Sequence, residues 1–304
     1  MTRINQPSES RHEGVAAAIG RIPILAEGAG AWAISPLPSF TNRTYRVARE
    51  GEAFVLRLPG RGTERYIDRA AEAANARAAA AIGLSPEIVF ADPPSGVMVS
   101  RYVDGAEPLS PSRLRQSGEL SATVSVLKRL HGSGLLFQGE MRLYPKLDEY
   151  LGLAHAPALN SLRAEGERLR PILEAGWGPL RPCHIDPAPH NFITAASGRY
   201  LLDWEYSAQC EPLWDLAGLS IEGELDSDQD GQMLATYFGK AAVAWQSRLH
   251  LYKIVLRLLA AAWGAVQLAD ANGPVEIAGL VDRLTRRVQT DLGAPNLGRH
   301  MQSA

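Results

Sequence analysis

Cysteine is scarce in this 304-residue chain, with Cys183 and Cys210 its only two. Two cysteines cannot build the disulfide framework of a small secreted fold, and no zinc-ligand spacing accompanies them. Both read as buried apolar residues in a reducing compartment. An excess of charge of one sign is missing too, with 31 Lys and Arg against 33 Asp and Glu. That balance excludes a broad electrostatic footprint for nucleic acid or an anionic membrane. No apolar run reaches the roughly 20 residues of a membrane span. The longest, Ile254–Ala269, contains Arg257 and reads as a buried helix. The first residues, MTRINQPSESRHEG, lack the apolar centre of a signal peptide, so the expected location is the cytoplasm, without membrane insertion. Neither a G-x-x-x-x-G-K-[ST] loop nor a G-x-G-x-x-G turn exists, which sets aside P-loop and dinucleotide folds. Repeats and low-complexity segments are absent as well.

What is there is a globular composition, 46% hydrophobic and 21% charged, on a chain longer than the roughly 250 residues at which single cores tend to split. Residues 1–12 read as a flexible start, and VAAAIGRI as a short helix. Three strand-like runs follow, AWAISPLPS, RTYRVARE and EAFVLRLPG, the last two alternating and joined at Gly51 and Glu52 as a hairpin. The alanines of GRGTERYIDRAAEAANARAAAAIGL and its stop at Gly83 predict a helix of about five turns. Two more strands, PEIVFADPPSG and VMVSRYVDG, meet at a Pro-Pro-Ser-Gly turn. Beyond Pro111 the pattern turns helical over 112–131, 146–154 and 158–175. Strand character returns in LRPCHI, NFITAA and RYLLDWEY, and Pro212–Leu292 reads as helices broken at Gly223, Gly239 and Gly273. The plan is α+β in two lobes: a small antiparallel sheet over 13–103 and a mostly helical part over 104–293, with a tail at 294–304.

The chemistry concentrates in HIDPAPHNF, His184–Phe192, and in YLLDWEY just after it. Phosphoryl transfer from ATP needs a magnesium ion between phosphate oxygens, an acceptor for the proton of the attacking hydroxyl, and a cation on the phosphates. Magnesium takes hard oxygen ligands, one or two of them from side chains. Asn191 and Asp203 fit that part. Asp186, five residues before Asn191, has the spacing of the base in a kinase loop, H-x-D-x-x-x-x-N. The competing reading of the stretch alone is a proline-rich turn. An apolar strand ending in Asp203 favours the functional one. His184 reads as an orienting hydrogen-bond partner, and His190 as exposed and idle. Upstream, Arg57 is an isolated cation in a strand, suited to the α/β-phosphates, and Glu72 on the next helix is placed to pair with it; the bland alternative for each is a surface charge.

At this point the residues resemble a family. CHIDPAPHNFI and YLLDWEYSAQCEPLWDLA, with FTNRTYRV, FVLRLPG, IDRAAEAANARAAA, VMVSRYVDG and LKRLHGSGLLFQGEMRLYPKLDEYL upstream, are similar to the choline/ethanolamine kinases of the aminoglycoside-phosphotransferase-like superfamily. The resemblance runs in order over residues 35–270. It implies a protein-kinase-like fold with ATP between the lobes, Asp186 as base, and Asn191 and Asp203 on Mg2+. It further implies Arg57 in place of the usual kinase lysine, with Glu72 as its partner. Asn42 and Thr44 become donors to phosphate, Tyr102 and Val103 the adenine hinge, and Asp215 a brace for the catalytic loop. Two departures stand out: Ile185 where the family often has Asn or Gly, and Ser39 and Phe40 where it often has glycines. Phe40 should make the phosphate loop stiffer or more apolar.

For the acceptor, a quaternary ammonium is held by aromatic faces and an acidic group. Glu205, Tyr206, Glu222 and Trp263 are the candidates, with Ala260 where a second tryptophan of the family would fall; for Trp263, plain helix packing is the alternative. Choline or ethanolamine is the expected substrate. Another small hydroxyl compound (thiamine- or aminoglycoside-like) and a non-catalytic nucleotide-binding pseudokinase stay open. The expected assembly is a monomer or homodimer with no nucleic-acid partner.

Overall fold

The computed structural model describes residues 8–27, 31–39, 42–60, 63, 67–175, 178–269 and 275–304. Phe40 and Gly273 lie outside them. In the first lobe, α1 (Ser8–Ile19) and α2 (Pro23–Ala26) precede strands β1 (Ala33–Leu37), β2 (Arg43–Arg49) and β3 (Glu52–Leu58). Helix α3 (Arg69–Ala81) then leads into β4 (Ile88–Asp92) and β5 (Val97–Arg101). The sheet runs β1-β2-β3-β5-β4, antiparallel throughout. The β2–β3 turn sits one residue earlier than expected, at Glu50 and Gly51, because Glu52 already pairs with Arg49. Both turn residues have positive φ, 48° and 84°, which a two-residue hairpin loop needs to match strand twist.

Helix α3 is 13 residues long, shorter than its alanine content predicts. Its start is fixed by Asp68, whose side chain accepts from the amides of Ala70 and Ala71. Small side chains let it approach its neighbours closely: Ala71, Ala73, Ala76 and Ala79 are all buried.

The second lobe opens with β6 (Glu107–Pro108), α4 (Pro111–Leu114) and α5 (Ser117–His131). Next come α6 (Leu143–Ala154), α7 (Pro157–Gly166), α8 (Arg170–Glu174) and strands β7 (Arg181–Cys183), β8 (Phe192–Ala195), β9 (Gly198–Leu201) and β10 (Ala208–Cys210). Helices α9 (Leu213–Glu222), α10 (Ser227–Phe238), α11 (Val243–Ala269), α12 (Val275–Leu292) and α13 (Leu297–Ser303) complete it. The helix expected at 112–131 is two pieces, since Gln116 is extended and starts α5 afresh. The one expected at 158–175 is broken by a 3-10 turn at Glu167–Leu169, where Pro171 removes an amide that a continuous helix would use. Strands β6 and β10 are too short to show alternation in sequence.

Helix α11 is 27 residues long, about 40 Å, and packs against α6, α9, α12 and α13. It is apolar nearly all round because it is the centre of the larger core, 67% buried over its most apolar stretch. Gly264 lets α12 come close, for a Cβ there would lie 2.6 Å from Val281. The larger core extends into the first lobe through Ala76, Ala79 and Leu84, while Val47, Phe54, Leu56 and Val99 form a separate core around the sheet. Both cysteines are buried and unpaired.

Candidate active site

The catalytic loop is fastened from behind. Asp215, fully buried on α9, accepts from the backbone amides of His184 and Ile185 at 2.8 Å each. His131 of α5 meets the same carboxylate through Nε2 at 2.9 Å and the Tyr237 hydroxyl through Nδ1 at 2.8 Å. Trp214 donates its indole N–H to the Ile185 carbonyl at 2.9 Å. Ile185 is thereby held at φ 73°, a left-handed conformation that a β-branched side chain rarely adopts. The family's usual Asn or Gly at this place now has a physical reason. Pro187 packs on Gly218 of α9, where a Cβ would approach to 3.2 Å, and the 3-10 turn Pro189–Asn191 closes the loop.

Within that frame the side-chain nitrogen of Asn191 donates to the Asp186 backbone carbonyl at 2.9 Å and to its Oδ2 at 3.3 Å. Asp186 and Asn191 are therefore adjacent, as their spacing predicts. His184 is fully buried, bonds to the Leu202 carbonyl through Nε2 at 2.8 Å, and packs edge-on against Trp204. Burial holds its pKa below the usual histidine value. It links the loop to the segment carrying Asp203, which is itself left-handed at φ 65°.

Burial, with the charges of Glu222 and Glu205, pushes the Asp186 carboxyl up to about 7. Asp203 is raised as well, by burial first and then by Glu205. Its Oδ1 is buried with no hydrogen-bond partner among the described residues. An orphaned carboxylate oxygen, an amide whose nitrogen is already engaged, and a crowd of like charges fit a divalent cation between Asn191 and Asp203. The Asp203 carboxylate also lies within 4.8 Å of Glu72 and Glu205. A second cluster, His131, Cys183 and Asp215, does not fit a metal. Asp215 is occupied by the loop amides, and burial pushes the Cys183 thiol up.

On the sheet side Asn42, Arg57 and Glu72, three of the four residues expected at the nucleotide, share one network. Arg57 forms a two-pronged pair with Glu72, through Nη1 and through Nη2 at 3.0 Å, and Nη2 also reaches the Gly96 carbonyl at 3.2 Å. The guanidinium fork is engaged by Glu72, which leaves a buried Nε–H without a partner among the described residues. Thr44 sits opposite Arg57 in the β2–β3 ladder. Asn42 is buried, accepting from the Gly60 amide and donating to Glu205 at 3.1 Å. Arg69, which sequence reasoning missed, ties the network together: it reaches Glu72 at 2.8 Å, Glu205 at 3.2 Å and Thr63 at 2.7 Å. Its signal was the Arg69–Glu72 pair at i,i+3 on an alanine helix.

At the lobe junction the Tyr102 amide donates to Ala53, and the Val103 carbonyl accepts from Ala106. Among the described hydrogen bonds, the Tyr102 carbonyl and the Val103 amide are the groups this segment has left to offer a base.

The acceptor candidates separate. Asp186, Tyr206, Glu222 and Trp263 line one cavity of about 250 Å3, together with Trp214 and Tyr150. Glu205 does not; it faces the first lobe through Asn42 and Arg69, so the expectation that it contacts the acceptor gives way to a place in the inter-lobe network. Glu222 is open to the cavity, has no hydrogen-bond or ion-pair partner among the described residues, and has its pKa raised by desolvation.

With this geometry in place, residues 33–251 match the model of a family described as the phosphotransferase enzyme family. The chain belongs to that family. Within it, the chain is 34% identical to a structure of a choline/ethanolamine kinase family protein from Mesorhizobium loti, with a TM-score of 0.84 over 96% of this chain and 98% of that one. Two LicA proteins of Haemophilus influenzae are 29% and 30% identical over 67% and 65% of this chain, which are 62% and 76% of their own lengths. The choline kinase LicA from Streptococcus pneumoniae shares the fold, with a TM-score of 0.81 at 23% identity over 93% of this chain and 99% of that one. The resemblance of the motifs to choline/ethanolamine kinases is thus the relationship of the whole chain.

Proposed function

We propose that the protein is an ATP-dependent kinase that phosphorylates the hydroxyl of a small amino alcohol of the choline or ethanolamine kind. The observation that carries this reading is that one cavity is lined by Asp186 and Glu222 and by the rings of Tyr206, Trp214 and Trp263. Aromatic faces attract an ammonium by their quadrupole, and the Glu222 carboxylate open to the cavity supplies the counter-charge. The relatives' names point the same way.

In this reading the acceptor hydroxyl lies at Asp186, which takes its proton as the oxygen bonds to the γ-phosphorus and ADP leaves. A pKa near 7 suits a general base working close to neutral pH. Asn191 orients that carboxylate, and Asp215, His131 and Tyr237 hold its backbone. Asn191 and Asp203 hold Mg2+, which when bound neutralises phosphate charge. Arg57, fixed by Glu72, gives the phosphates a permanent positive charge, with Thr44 beside it. Asn42 serves by tying the loop before β2 to Glu205. Tyr102 and Val103 receive the adenine.

The test is a coupled ADP-release screen over choline, ethanolamine, their methylated intermediates, thiamine and an aminoglycoside. Turnover with an amino alcohol that disappears in Asp186→Ala supports the assignment. Turnover that survives Asp186→Ala, or none above the ATPase background with any amine, overturns it.

A further inference from the structure

We infer that the acceptor carries, beyond its ammonium, an apolar substituent lying between α11 and α12, and that Ala260 sets the size allowed there. This rests on the amino-alcohol reading and specifies its substrate class.

Besides Asp186 and Glu222, the cavity has an apolar wall made by Leu256, Leu259, Ala260 and Trp263 from α11 and by Leu280 and Leu284 from α12. The α11 residues follow the i, i+3, i+4, i+7 pattern of one helix face, and the α12 leucines stand one turn apart. Ala260 is the smallest side chain on that wall, so its position is where the space widens. A volume of about 250 Å3 holds on the order of a dozen or more water-sized groups, at roughly 15 Å3 each. Ethanolamine would leave most of it, and choline roughly half, to water against leucine, an unfavourable arrangement.

The charges on the rim do not suit a charged extension. Arg257 is held by Asp291 at 3.0 Å, and Lys146 by Glu149 at 2.9 Å with its ammonium over the Tyr150 ring. Each cation already has a carboxylate partner, which weakens the pull on an anionic tail. Among the described residues, a polycation would find the carboxylates of Asp186 and Glu222 in the cavity and no third one. An apolar group is what remains.

The experiment measures kcat/KM of the full chain with Mg-ATP for choline, N-butyl-N,N-dimethylethanolamine and N-benzyl-N,N-dimethylethanolamine. Each methylene buried against the leucines should raise kcat/KM about three- to four-fold, putting the butyl and benzyl compounds more than tenfold above choline. Ala260→Trp should abolish that advantage while choline is still turned over, and Leu280→Trp, filling the gap from the opposite helix, should do the same. Choline equal to or better than the bulky amines overturns the size claim from the unmodified protein alone. A bulky-to-choline ratio unchanged in both variants overturns the placement. If no amino alcohol of any size is turned over while ATP still raises Tm, the amino-alcohol reading itself has failed, and this inference with it.

Discussion

On the sheet side of the cleft, Arg57, Arg69, Glu72 and Glu205 form one continuous chain of ion pairs. On the α11 side, Glu222 stands among aromatic rings without a charged partner among the described residues. The two walls answer to different ligands. A polyanion needs positive charge fixed in advance, since an arginine left to find its own position would lose entropy and solvation on binding. Buried arginines are tolerable only when carboxylates hold them. A weakly hydrated ammonium needs the reverse, an apolar surround and one accessible carboxylate. Asp186 and Asp203 lie where the walls meet, and both have raised pKa values, chiefly from burial.

The largest effect should come from the meeting point. Asp186→Asn keeps the shape of the loop but cannot accept a proton, so kcat should fall by roughly 10²–10⁴. The thermal shift caused by ATP should persist, since the sheet-side wall is untouched. A kcat within tenfold of the unmodified protein would remove Asp186 from the role of base.

Breaking the sheet-side wall should appear first as lost stability. Glu72→Ala leaves Arg57 and Arg69 buried without their shared carboxylate, which typically costs about 3–5 kcal/mol. Glu72 and its two partners are all nearly buried, so solvent offers little relief. Urea unfolding should show the loss, and KM for ATP should rise more than KM for the alcohol. Equal changes in the two constants would mean that the walls are not separate.

The aromatic wall should break in the opposite sense. Glu222→Gln should raise KM for the amine about tenfold, the lower end expected for a charge-assisted contact, and leave KM for ATP alone. Desolvation raises the Glu222 pKa, so on acidification its charge is lost earlier than an ordinary glutamate loses it. KM for the amine should therefore climb as pH falls, beginning at a higher pH than an ordinary glutamate would give, and the climb should vanish in Glu222→Gln. A pH profile identical in both proteins would take Glu222 out of amine binding.

The two walls were unequally legible in the sequence. Local spacing announced the loop, since Asp186 and Asn191 are five residues apart and their contact is made within one turn. The sheet, the lobe order and the long buried helix followed from alternation and composition. Glu205 was misplaced because it directly follows the Asp203 segment, and sequence adjacency carries no direction: a left-handed residue at Asp203 turns the chain there. The links of Arg69 to Glu205 and of His131 to Asp215 escaped because they span 136 and 84 residues. The extent of the acceptor cavity depends on how α11 and α12 pack, which no periodicity in either helix fixes.

The smallest effect tests the turn that brings the walls together. Ile185 holds φ at 73° against its own preference, and a left-handed conformation costs an ordinary L-residue about 1–2 kcal/mol. Asp215 fixes its amide and Trp214 its carbonyl, so the backbone stays in place whatever the side chain. Asparagine tolerates this conformation far better. Ile185→Asn should then gain about 1 kcal/mol after some loss of apolar packing, a rise of a few degrees in Tm for a chain of this size, with kcat little changed. Glycine relieves the same strain but gives the unfolded chain more freedom, so Ile185→Gly should gain less than Ile185→Asn. If both substitutions lower Tm, the turn is held by the isoleucine side chain itself, and the bonds from Asp215 and Trp214 are not what sets the loop.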